Sequence, residues 1–147
     1  MGVSESSYPK MNHLTICVLV IAICFCFKEG YGGCNPNFLI VRNQLGPDTI
    51  LQVKCWTNRD EKTVQSSPVE FNKVYSTRVQ EEGRKRIVWK CELRDPKNKG
   101  YMMIWHAYRG ANFARCGQTR EYIVDLTGAT LVHNKKRTNE VHRWTKG

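Results

Sequence analysis

Four well-separated cysteines, Cys34, Cys55, Cys91 and Cys116, raise the first chemical question of this chain. A thiol can act as a nucleophile, hold a metal or oxidise to a bridge. Zinc sites usually draw ligands from closely spaced pairs such as C-x-x-C, and none of these four has such a neighbour. A single nucleophile would leave three cysteines unexplained. An even number in an oxidising compartment reads as two disulfides, and four cysteines permit three pairings among which spacing does not choose. No metal and no cofactor is expected.

Histidine is the other group that could carry a reaction. His106 lies in YMMIWHAYRG on the face opposite Trp105, His133 follows ATLV, and His142 sits in the tail VHRWTKG. A basic secreted nuclease needs two histidines, or a histidine and a carboxylate, converging on one phosphate. Nothing in these positions favours that, and no Gly-rich phosphate loop, HExxH or GxSxG occurs. The expectation is a non-enzyme with no catalytic residues, and His106 is the group to test if that is mistaken.

The compartment follows from the N-terminus. Leu14 to Phe27, LTICVLVIAICFCF, is apolar except for Thr15 and is shorter than the roughly 20 residues of a spanning helix. With Lys10 before it and Gly30, Gly32 and Gly33 after it, residues 1–33 read as a cleaved secretory signal and residues 34–147 as the mature domain. The start MGVSES also fits a loose acylation pattern, which a chain entering the secretory pathway would not use. Lys and Arg total 23 against 13 Asp and Glu, a net charge of +10 that residues 34–147 keep whole. Such a surface attracts polyanions: nucleic acid, an acidic receptor face, an acidic wall polysaccharide or an anionic membrane. Extracellular location removes nucleic acid from that set. No Asn-x-Ser/Thr sequon is present, so N-glycosylation is not expected.

Short alternating runs separated by turn residues must position these groups. Leu51, Val53 and Cys55 share one face of a strand, and Ile87, Trp89, Cys91 and Leu93 share one face of another. Phe38–Arg42 and Val74–Val79 are further strands. Tyr101–Tyr108 looks apolar on both faces, as a central strand would be. Tyr122–Leu126 and Ala129–Val132 read as a hairpin through Thr127-Gly128. The predicted fold is all-β: a single-domain antiparallel β-sandwich of about seven strands, stabilised by disulfides, with Cys55 and Cys91 facing its core.

With those runs placed, the chain resembles the plant self-incompatibility S-protein family of secreted S-protein homologues. The resemblance rests on Val41–Pro47 followed by Leu51–Cys55, on Val88–Leu93, on Ala107–Ala111 with Arg115–Gly117, and on Asn134–Trp144. Two loops depart from the family pattern: Thr57–Lys62 mixes basic residues into an acidic run, and Leu126-Thr127-Gly128 replaces an acidic turn. The resemblance implies a small secreted β-sandwich that acts as a ligand, with no catalytic residues. The best-known role in the family is a pistil signal read by a pollen-surface partner.

Loop placement and charge then nominate the contacts with a cell-surface receptor. They are Asn58, Arg59, Asp60 and Glu61 in one loop and Lys97, Asn98 and Lys99 in another. The basic runs Arg84–Arg86 and Lys135–Arg137 add a possible binding face. A basic secreted enzyme and a membrane-binding defence protein are the alternatives.

Overall fold

In β1 (Asn37–Asn43) every second residue, Asn37, Leu39, Val41 and Asn43, is buried, and β2 (Leu51–Thr57) repeats the pattern with Leu51, Val53 and Cys55. The computed structural model describes residue 12 and residues 34–59, 66–82, 85–95, 97 and 100–147. The expected leader, Asn12 apart, and the acylation pattern fall outside the described residues. Cys34–Gly147 form one compact unit.

The remaining strands are β3 (Ser67–Val69), β4 (Val74–Val79), β5 (Val88–Arg94), β6 (Tyr101–Arg109), β7 (Thr119–Asp125), β8 (Gly128–His133), β9 (Lys136–His142) and β10 (Thr145–Lys146). They form two five-stranded sheets, β4-β1-β7-β8-β9 and β10-β6-β5-β2-β3. Leu39, Val41, Tyr122, Val124 and Leu131 from the first sheet share a core with Leu51, Val53, Leu93, Met103 and Trp105 from the second. Each such side chain contributes roughly 1.5–3 kcal/mol by leaving water. Trp105 and Tyr122 meet edge to face at 5.0 Å, and the Tyr122 hydroxyl donates to the Ala107 carbonyl at 2.9 Å.

The all-β two-sheet architecture is the expected one, but it has ten strands among the described residues. The three not foreseen are β3, β9 and β10, and each has a physical reason to be silent. β3 is three residues around Pro68 on a sheet edge, where a missing N–H costs nothing. β9, KRTNEVH, is a mostly exposed edge strand, and β10 has two residues. One pairing is also parallel, β1 with β7. β6 corrects a further expectation. It is buried on one face only, with Ile104 53% exposed and His106 exposed, because its sheet packs on the other sheet through the inner face alone.

Both bridges form. Cys55 and Cys91 face each other across β2 and β5 with Cα atoms 4.1 Å apart, near the close spacing of a non-hydrogen-bonded antiparallel pair. Trp105 is the next residue in that row. Cys34 pairs with Cys116, tying the residues before β1 to the residues before β7. That bridge closes the start of the one parallel pair, which no hairpin could join.

The β8–β9 turn is two residues long, and both Asn134 (φ 47°) and Lys135 (φ 67°) are left-handed. Such turns favour Asn followed by Gly, because a side chain in this region costs about 1–2 kcal/mol. Lys135→Gly is therefore expected to raise the unfolding free energy by about 1 kcal/mol, read as a higher urea midpoint at unchanged slope.

Candidate recognition surface

One end of the sandwich gathers the β2–β3, β4–β5 and β6–β7 connections and the β8–β9 turn, since β2 ends beside the start of β5 and β8 ends beside the start of β7. At its centre is a buried carboxylate. The register of β5 and β6 slips between Trp89 and Lys90, so Ala107 and Tyr108 are both buried and alternation breaks. Tyr108 thereby turns inward and donates its hydroxyl to Glu81 Oε1 at 2.5 Å. Arg115 donates to the same carboxylate from Nη2 at 2.7 Å, from Nε at 3.2 Å and from its backbone N–H at 3.2 Å. The Glu81 side chain is only 2% exposed. Burial alone would push its carboxyl up, but the bonds from Arg115 and Tyr108 outweigh this and hold it below the usual range. Burial and Glu81 together raise the Tyr108 phenol well above its ordinary value.

The loops around this lock are tied to one another. Asn58 accepts the Val88 N–H at 3.2 Å, its backbone N–H donates to the Val88 carbonyl at 3.0 Å, and its amide reaches the Arg86 carbonyl at 3.4 Å. Arg59 pairs with Glu82 at 2.9 Å and donates to the Lys85 carbonyl at 3.1 Å. Gly110 donates its N–H to the Ile87 carbonyl at 2.8 Å, and a Cβ there would stand 3.1 Å from the Ile87 side chain. A side chain there would need Ile87 to shift by a few tenths of an ångström.

Two of the nominated contacts therefore have an internal job: Asn58 and Arg59 hold loop to loop. Lys97 lies elsewhere. It follows β5 near Gln52, at the opposite end of the sheet from Asn58, and its ammonium reaches the Pro47 carbonyl at 3.4 Å. A seven-residue strand spans about 20 Å, so the two nominated loops do not form one surface. Asp60, Glu61, Asn98 and Lys99 lie outside the described residues.

Cations come together instead. Lys85, Arg86 and Arg109 sit exposed at the loop end, with no carboxylate partner among the described residues. Lys135 of the β8–β9 turn and Lys136, which opens β9, are also exposed at the same end, so the described members of both basic runs meet there. Lys90 and His106 stand side by side on the adjoining outer face of the second sheet. Partial desolvation, then the charges of Arg109 and Lys90, hold the His106 imidazole below its usual range. The opposite end is mixed in charge: Asp48, Glu70, Asp95 and Asp125 lie there with Lys73, Lys97, Arg143 and Lys146, beside exposed Ile50, Tyr101 and Leu126. The three histidines do not converge. His133 contacts Gln118 and His142 contacts Glu140, both on the first sheet.

Two covalent bridges, two sheets and a basic end with cross-tied loops define a small disulfide-locked β-sandwich. The chain belongs to the plant self-incompatibility protein S1 family, which it matches over residues 39–144, from β1 to Trp144. It is similar to S-protein homolog 14 of Arabidopsis thaliana, 27% identical over 126 residues that cover 84% of this chain and 89% of the relative. S-protein homolog 15 of the same plant is 24% identical over 135 residues, covering 91% and 98%. A solved self-incompatibility protein homologue, from a widespread family of small, highly stable, secreted plant proteins, has the same fold. It superposes with a TM-score of 0.61 at 22% identity, covering 78% of this chain and 98% of that one. The chain is thus one of the S-protein homologues, a family of small secreted plant proteins. Cys34 precedes the matched residues yet is bonded into the fold.

Proposed function

We propose that this protein, after removal of residues 1–33, is an extracellular recognition ligand that binds an acidic cell-surface partner through its basic loop end. The observation that carries this reading is the convergence of Lys85, Arg86, Arg109, Lys135 and Lys136 on one end, unpaired among the described residues and backed by loop residues hydrogen-bonded to one another. Fixed charges on a rigid support steer an oppositely charged partner and lose little conformational freedom on binding. Sequestered Glu81 and paired Glu82 add little negative charge to weaken that field.

The labelled native protein is expected to bind plant cell surfaces saturably. Reversing Lys85, Arg86 and Arg109 to Glu together should slow association by roughly 10- to 100-fold at low salt, with a much smaller effect at high salt. Unchanged association by the folded triple variant would refute the assignment of this surface.

A further inference from the structure

The outer face of the second sheet holds a second arrangement, away from the loop end. Gln52, Lys54, Ser66, Glu92 and Arg94 line an open groove of about 320 Å³ there. Lys54 stands directly opposite Glu92 in the β2–β5 register, yet it makes no ion pair among the described residues and leans over the Trp56 ring at 5.7 Å. Arg94 spends only its Nε on Glu92, and its side chain is 67% exposed, so the end of the guanidinium faces solvent. Ser66 donates its hydroxyl to Gln52 Oε1 at 3.1 Å, which leaves the Gln52 amide N–H groups as free donors. Ile104 is exposed on the other side of Glu92.

We propose that this groove binds a uronic-acid chain, an acidic polysaccharide, at a site separate from the receptor-facing loops. The chemistry of the groove selects that ligand among polyanions. Lys54 and Arg94 supply cations for a carboxylate, Arg94 with a planar fork suited to it. The Gln52 amide donates to hydroxyl or ring oxygens, and Glu92 and Ser66 accept from hydroxyls. Trp56 and Ile104 offer apolar area for the C–H face of a sugar ring. A polymer with most of its hydroxyls sulfated or phosphorylated brings charge but leaves few donors for Glu92 and Ser66. A carboxylate and several hydroxyls on one ring match all of these groups at once. The groove therefore gives the protein a hold on an acidic matrix while its loop end stays free.

The test is titration calorimetry of the full-length chain expressed in plant cells and purified in its disulfide-bonded form. The probes are an oligogalacturonate, its methyl-esterified form, dextran sulfate, and vesicles containing anionic lipid. The oligogalacturonate should bind and the ester should not. Lys54→Glu with Arg94→Glu should abolish binding, with Lys54→Gln and Arg94→Gln as substitutes if the reversed pair fails to fold. Glu92→Ala should weaken oligogalacturonate about tenfold while tightening dextran sulfate. Reversing Lys85, Arg86 and Arg109 should cost oligogalacturonate affinity far less than reversing Lys54 and Arg94, so this proposal and the receptor reading can fail separately. Absence of oligogalacturonate binding, equal binding of the ester, equal vesicle binding, or an affinity gain for both polymers in Glu92→Ala would overturn it.

Discussion

Glu81→Ala is expected to lower the unfolding free energy by about 3–5 kcal/mol, the usual cost of removing one partner of a buried charge pair. The reason is what stays behind. Arg115 keeps a three-quarters-buried side chain whose charge is left with the Arg109 carbonyl in place of the carboxylate, and the Tyr108 hydroxyl loses its acceptor. The loss should appear in urea unfolding as a lower midpoint, and Glu81→Gln should recover part of it by retaining a hydrogen-bond acceptor. The same carboxylate gives an acid dependence with a definite sign. Its folded pKa lies below the unfolded value, so its stabilisation is fully present above the unfolded pKa and is lost as pH falls through the folded one. The wild-type protein should therefore lose stability below the ordinary carboxylate range by more than Glu81→Gln does. Parallel acid profiles for the two proteins would contradict the depressed carboxyl.

Removal of Cys55–Cys91 should be about as damaging. Chain entropy assigns about 4 kcal/mol to a bridge closing 36 residues and only about 0.7 kcal/mol more to one closing 82. On that basis alone Cys34–Cys116 would matter slightly more. Burial reverses the order. Cys55 and Cys91 are in the core beside Trp105, whereas Cys34 is exposed, so the double alanine variant of the inner bridge also leaves a void costing of order 1–2 kcal/mol. The inner variant is expected to show the lower urea midpoint. A larger loss from Cys34→Ala with Cys116→Ala would mean that the parallel β1–β7 pair depends on its bridge more than the core does.

How much of this was legible in the sequence depended on distance along the chain. Alternation placed Leu51, Val53, Cys55, Cys91 and Leu93 on the inner face because period two is a local property. The disulfide pairing was not legible, since it depends on which strands become neighbours. β9 was missed because an edge strand facing water needs no apolar stripe. The lock between Glu81 and Arg115 spans 34 residues, and both read as ordinary surface charges until a register slip turns Tyr108 toward them. Loop placement and charge nominate Asn58 and Arg59. Loop position does not reveal that their polar groups are consumed by the neighbouring loop. The basic runs did carry a signal, but only the fold shows Lys85 and Lys135 at the same end.

Site-specific photocrosslinking on intact cells tests the central claim most directly. A crosslinker at Lys85 or Arg109 should capture a discrete membrane-associated partner, competed by excess unmodified protein, whereas one at Leu126, which is 74% exposed at the opposite end, should capture nothing above background. Capture from Leu126 with none from Lys85 or Arg109 would place recognition at the opposite end and contradict the account.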